Sequence, residues 1–292
     1  MNYFITAAAL KVASANALTR STYRALTRLK SGPRPPQVDR GIWLLAALPK
    51  PACRLLELGT GWVHAYSLYP ALLRTDEVHC FDTSDNRNFK SFQATVPITR
   101  SQLHDPEYWT HDPQALAQVD DLATAIGKAS DFGEAYRILG MTYQCRPIGI
   151  PDYPADYFDV IFSIDVLEHI AAEIFPAASA AWFRSLKPGG KFLAQVGIDD
   201  HLAMYQGKVG SKRYLRYSHR TWEWVLGNQV QYINRLTASE IVTILTNTGL
   251  VIDEVETDAS GDTEPDQVHP DYKRQSDDDI RAVRLLVRAR KP

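Results

Sequence analysis

The sequence predicts an α/β fold, a three-layer sandwich in which helices cover both faces of a mostly parallel sheet, and three stretches carry that expectation. Residues 53 to 61, Cys53-Arg-Leu-Leu-Glu-Leu-Gly-Thr-Gly61, read as a short buried strand that runs into two glycines separated by one residue, with a helix-compatible run from Val63 to Leu73 behind them. Val78-His-Cys-Phe-Asp82 is a second apolar run that ends in a carboxylate, about twenty residues after the glycines, where a βαβ unit places an acid to bond ribose hydroxyls. Tyr157-Phe-Asp-Val-Ile-Phe-Ser163 is continuously apolar, as a strand covered on both faces is. Strand, Gly-rich turn and helix in that order make a nucleotide cradle, although an ordinary tight βα turn has the same local pattern.

The chain has 292 residues and a formal net charge of −2. That length permits a sizeable core, and the balanced charge argues against extended binding to nucleic acid or an anionic surface. The three cysteines, Cys53, Cys80 and Cys145, fall on predicted strands of one sheet. An odd number in apolar strands points to buried free thiols and a reducing, cytoplasmic compartment. No Cys/His spacing suggests a metal site, so none is expected. No apolar run reaches the ~18 residues a membrane span needs.

Residues 1–40 read as a helical extension and hinge. No acid precedes Asp39, and the Ala/Leu-rich stretch from Asn2 to Lys30 carries Lys11, Arg20, Arg24, Arg28 and Lys30. It lacks the leading basic region of a secretory signal. It either lies on a membrane surface, acts as a transit peptide, caps a cleft or meets a partner subunit. Gly32-Pro-Arg-Pro-Pro36 then breaks the helix.

The main domain spans 41–292. Gly41 to Leu48 suggests a short helix. Between about 86 and 139 lies a long insertion in which Gln114–Lys128 and Phe132–Leu139 have helical periodicity. It forms either one wall of a substrate pocket or a structural elaboration. Met141 to Arg146 reads as a strand, Ala177 to Leu186 as a helix, and Lys191 to Gly197 as a strand after the turn at Pro188-Gly-Gly190. That strand opens into Asp199, Asp200 and His201, three titratable groups at a strand's carboxyl end. His201 is the expected catalytic base, since its ordinary pKa suits proton transfer near neutrality, with Asp199 or Asp200 orienting it; an Asp-rich cap on a loop is the alternative. From about 204 to 235 aromatic residues (Tyr205, Tyr214, Tyr217, Trp222, Trp224, Tyr232) alternate with basic ones (Lys208, Lys212, Arg213, Arg216, Arg220), which reads as a substrate lid. Thr237-Ala-Ser-Glu240 is a capping box for a helix that stops at Gly249, Leu250 to Val255 is a strand, Asp258 to Asp279 a solvated loop, and Ile280 to Arg288 the seventh strand.

Glu57-Leu-Gly-Thr-Gly61, Asp159-Val-Ile-Phe-Ser-Ile-Asp-Val-Leu-Glu-His-Ile170 and Leu186-Lys-Pro-Gly-Gly-Lys-Phe192 together resemble the class I S-adenosylmethionine-dependent methyltransferases, in order and spacing, over residues 50 to 290. The dinucleotide pattern of an oxidoreductase departs from this chain, because its third glycine is replaced by His64. The resemblance implies a Rossmann-like methyltransferase fold of seven strands with the last one antiparallel. It implies S-adenosylmethionine as cofactor and S-adenosylhomocysteine as product. It also implies that Glu57, Gly59, Thr60, Gly61 and Asp82 hold the cofactor, with Asp165, Glu168 and His169 as candidates to line the reactive centre beside the sulfonium. The acid that often accepts the adenine amino group is missing, leaving Gln144 in its place. The 228–235 segment resembles enzymes of bacterial surface-glycan biosynthesis, implying a small-molecule or glycan acceptor and O-methylation. A non-catalytic protein of the same fold is the other reading, for which the Gln144 departure leaves room.

Overall fold

The computed structural model describes residues 3–29, 35–49, 53–73, 77–109, 112–203, 211–260 and 268–292. Seven strands form one sheet: β1 (Arg54–Leu58), β2 (Glu77–Asp82), β3 (Met141–Cys145), β4 (Phe158–Ile164), β5 (Leu186–Gly197), β6 (Val251–Ala259) and β7 (Ala282–Arg290), in the order β3-β2-β1-β4-β5-β7-β6. The first five are parallel to one another, and β7 runs antiparallel between β5 and β6. The strand order turns back on itself between β1 and β4. In an open α/β sheet a crevice opens at that place, beyond the carboxyl ends of the strands.

Helices α1 (Tyr3–Ala13), α2 (Ala17–Leu29) and α3 (Val38–Ala47) precede the sheet. Helices α4 (Leu68–Leu73), α5 (Phe89–Leu103), α6 (Pro113–Lys128) and α7 (Phe132–Leu139) pack on one face of it, around Leu55, Val78, Phe92, Val119 and Phe162. On the other face, α8 (Phe175–Ser185) and α10 (Ala238–Asn247) enclose Leu56, Phe158, Trp182, Phe192 and Ile241. Strand residues of both parities are therefore buried, which is why β4 reads as an unbroken apolar run. A third cluster joins Tyr3 and Leu10 of α1 to Tyr214, Trp222, Leu226 and Tyr272. Ile280 of α11 (Asp277–Arg281) joins this cluster, and the one-turn helix α9 (His219–Thr221) leads into Trp222.

The capping box is present: the Thr237 hydroxyl accepts from the Glu240 amide while Glu240 accepts from the Thr237 amide. Several expectations need correction. The run from Val63 is not helical until Leu68, because His64 sits at φ 50, which right-handed helix excludes. Helix α5 was not foreseen, since Pro97 interrupts its pattern; Asn88 caps it by accepting from the Ser91 amide. The solvated loop is shorter than expected: β6 extends to Ala259, and Ser276 caps α11, so the last strand starts at Ala282 rather than Ile280. Of the cysteines only Cys80 is buried; Cys53 precedes β1 and Cys145 is exposed where β3 ends at the sheet's edge. Most of the Gly32–Pro36 hinge and the start of the 204–235 segment, residues 204–210, lie outside the described residues.

Candidate functional site

The turn after β1 is built by two left-handed glycines, Gly59 at φ 73 and Gly61 at φ 67. The amides of Gly59 and Thr60 both donate to the Phe81 carbonyl, at 2.8 and 3.2 Å, stitching the turn to β2. A Cβ on Gly59 would stand 2.3 Å from Val166 Cγ2, so only glycine lets the turn pass under the end of β4. A Cβ on Gly61 would meet nothing within 4 Å, so the space beside its Cα is open. Glu57 is buried beneath the turn and accepts from the hydroxyls of Thr60 and Ser67. Burial pushes its carboxyl up to about 7. Glu57 and Thr60 thus brace the turn from below. Asp82, at the end of β2, accepts from the Gly61 amide at 3.0 Å through one oxygen and from Thr83 at 2.7 Å through the other. Burial raises its pKa against these bonds, which lower it. Gln144 is not beside this turn's hydrogen bonds: its amide closes on the Asp152 backbone, accepting from the amide at 2.9 Å and donating to the carbonyl at 3.2 Å.

On the other side of the switch point, the ends of β4 and β5 bring five titratable groups together. Asp165 stands at φ 54 just past β4, and its carboxylate pairs with Arg40 of α3. With the Gln195 amide turned to accept, Arg40 Nε also donates to it at 2.7 Å. Nothing in the spacing of the sequence singled out Arg40; three-dimensional closure of α3 over β4 and β5 places it. Gly197 lies among three carboxylates: a Cβ there would stand 3.3 Å from Glu168 Oε1, 3.6 Å from Asp199 Oδ1 and 3.9 Å from Asp165 Oδ1.

Glu168 is only 3% exposed and its Oε2 has no hydrogen-bond partner. Burial first, and then the Asp165 charge, hold its carboxyl well above the usual range. His169 Nδ1 lies 2.6 Å from the Tyr232 carbonyl. A carbonyl only accepts, so Nδ1 carries a proton and donates it. The His169 and His201 rings are 5.0 Å apart. Burial above all, then repulsion from His169, lowers the His201 pKa to about 4, leaving that imidazole uncharged at neutral pH. Asp199 Oδ1 stands 3.7 Å from His201 Nε2. The two oxygens of Asp200 are instead taken by Tyr3 and by the Leu202 amide, so Asp200 ties α1 to the end of β5.

A Gly-rich turn with its terminal acid thus stands on one side of the strand-order reversal and a cluster of titratable groups on the other. The sequence profile of the methyltransferase-domain family matches residues 20–255, and the chain belongs to that family. It is accordingly an enzyme, a methyltransferase with S-adenosylmethionine as cofactor. Among solved structures it is similar to an S-adenosylmethionine-dependent methyltransferase from Mesorhizobium loti (17% identity, 87% of this chain and 100% of that one, TM-score 0.47). Another is phosphoethanolamine N-methyltransferase 2 from Haemonchus contortus (19% identity, 87% and 52%, TM-score 0.49). A third is a methyltransferase from Methanosarcina mazei (14% identity, 85% and 96%, TM-score 0.48). No curated protein matches the chain. Among the described residues no helix is long and apolar enough to cross a membrane.

Proposed function

We propose that the protein methylates an oxygen of a small molecule or glycan in the cytoplasm, binding its cofactor across the ends of β1 and β2 and its acceptor above the ends of β4 and β5. The observation that carries this reading is the placement of the Gly59–Gly61 turn and Asp82 on one side of the strand-order reversal and of Asp165, His169, Asp199 and His201 on the other. The residues fit the cofactor: Gly61 leaves open space beside its Cα, and Asp82 is a part-buried carboxylate at the right strand end. When bound, S-adenosylmethionine supplies an electrophilic methyl group on its sulfonium.

In this reading Asp82 accepts from the ribose hydroxyls in exchange for its bond to Gly61. Asp165, neutralised by Arg40, lies toward the aminopropyl end, and the buried Glu57 keeps the turn in shape. Methyl transfer gains most from holding the reacting atoms close and in line, so the segment from Ser211 to Arg235 and α1, which pack together over this side, act by closing the cleft. His201 provides the uncharged nitrogen beside the acceptor hydroxyl, with Asp199 next to it. The glycan preference rests on the resemblance of residues 228–235 and on the aromatic and basic side chains around them.

Calorimetric titration of the purified chain with S-adenosylhomocysteine tests the reading. Micromolar binding that falls at least tenfold in Asp82→Ala is expected; no binding by the wild type would overturn the cofactor placement. Product formation from a panel of hydroxylated acceptors, glycans first, then tests the oxygen as the methylated atom.

A further inference from the structure

We propose that Glu168, His169 and His201 form a binding site for one divalent transition-metal ion on the acceptor side of the cleft. The three side chains each offer a donor atom, and all three donors lie within 4.8 Å of one another. The proposal rests on the reading of that cleft as the acceptor site and adds to it a ligand that no sequence spacing announced: Glu168 and His169 are adjacent, and His201 arrives from the next strand.

Four features go beyond proximity. A carboxyl group this deep needs partners for both of its oxygens, yet Glu168 Oε2 has none. His169 is held the way a metal-bound imidazole is held, with Nδ1–H given to a backbone carbonyl and Nε2 left free, 3.9 Å from Glu168 Oε1. The turn that carries both residues is itself fixed, since Asn234 donates its amide to the Glu168 carbonyl at 2.8 Å and its side chain to the Leu167 and Ile170 carbonyls. Finally, Asp165 and Asp199 crowd the same glycine as Glu168 while one cation, Arg40, faces Asp165. Lys212 also acts on Asp199, and a further positive charge beside Glu168 would relieve the crowding of carboxylates.

Two imidazoles and one carboxylate on one side of an ion suit manganese, iron or zinc better than magnesium or calcium, and leave positions open for oxygen ligands. Bound donors would stand about 3 Å apart around an ion at ~2.1 Å from each. Rotation of His201 toward the fixed Glu168–His169 pair closes most of that gap. An acceptor hydroxyl in an open position would lose its proton more readily, and His201 would then act through the ion.

The probe is Mn²⁺, titrated into the metal-depleted full chain and followed by electron paramagnetic resonance. One ion per chain is expected, with couplings to imidazole nitrogen in the pulsed spectrum. Glu168→Gln and His201→Gln should each weaken binding at least tenfold. S-adenosylhomocysteine affinity, which reads folding and the cofactor side, should change less than about threefold. Absence of Mn²⁺ binding up to about 1 mM, a spectrum without nitrogen couplings, or wild-type affinity in both variants would overturn the site. If a variant fails to fold, the wild-type nitrogen couplings decide. Mn²⁺ bound with nitrogen couplings, in a chain that does not bind S-adenosylhomocysteine, would leave this site standing and remove the cofactor placement instead.

Discussion

The Tyr3 hydroxyl donates a 2.7 Å hydrogen bond to Oδ2 of Asp200 across 197 residues of sequence, and both side chains are 1% exposed. The bond fastens the first helix to the strand end that carries Asp199 and His201. Removing it with Tyr3→Phe leaves a buried carboxylate short of a donor, which costs about 1–3 kcal/mol. Urea unfolding should show that loss, and S-adenosylhomocysteine affinity should change little, because Asp82 and the glycine turn lie on other strands. A variant as stable as wild type would mean that α1 is not held through this bond.

The two glycines of the turn separate a packing role from a ligand role. In Gly59→Ala, the added carbon meets Val166 at 2.3 Å in a left-handed conformation, so stability should fall by about 2 kcal/mol or more. Val166→Ala should recover part of it. Gly61→Ala adds only the left-handed strain, about 1 kcal/mol, since nothing lies within 4 Å. Its carbon instead takes up that open space, and calorimetry should show at least a tenfold loss of S-adenosylhomocysteine affinity with a modest change in melting temperature. Equal binding by Gly61→Ala and wild type would place the cofactor elsewhere.

Periodicity and turn chemistry made the sheet legible. The central strands β1 and β4 are buried on both faces, so each reads as an apolar run, and Gly59 and Gly61 mark where β1 turns, whereas the expected turn at Pro188-Gly-Gly190 lies inside β5, which starts at Leu186 rather than Lys191. Helix α5 escaped because Pro97 sits inside it, and the start of α4 was misplaced because His64 takes a left-handed conformation that a β-adjacent histidine does not advertise. Local signals place Glu57 and Asp82, each within reach of its own turn. They do not place Arg40, whose partners Asp165 and Gln195 come from two other strands, nor do they separate Asp199 from Asp200, which differ only in which neighbour each one meets after folding. Contacts that are made across the strand-order reversal have no local sequence signature.

Glu57 gives a pH signature. Its carboxyl is raised from the ordinary 4.5 to about 7 in the folded chain, so the folded state holds the proton more tightly than the unfolded one. The associated stability is fully present below pH 4.5 and is lost as pH rises through 7, on the order of 3 kcal/mol in all. Glu57→Gln carries no such proton. The stability of the variant relative to wild type should therefore improve as pH rises from 4.5 to 7. Urea midpoints that run parallel across this range would show that Glu57 is ionised when folded.

His64 acts with the opposite sign over an overlapping range. It is fully buried, its Nε2 is 2.7 Å from the Tyr136 hydroxyl and its Nδ1 is 3.1 Å from Thr60 Oγ1. Burial, and then the Arg87 charge, lower its pKa to about 3. Above pH 6.5 the imidazole is neutral in both states and its bonds contribute fully. As pH falls from 6.5 toward 3 the unfolded chain takes up a proton that the folded chain refuses, and stability drops by about 1.4 kcal/mol per pH unit. His64→Gln should be less stable than wild type at pH 7.5, since Tyr136 and Thr60 lose part of their bonding, and the gap should narrow steadily at pH 6 and 5. Because Glu57 and His64 partly offset each other between pH 4.5 and 6.5, the wild-type profile alone separates neither; the two single variants, measured at the same pH values, do. A gap that stays constant from pH 7.5 to 5 would show that the folded protein takes up the His64 proton as readily as the unfolded chain, so that burial does not lower its pKa.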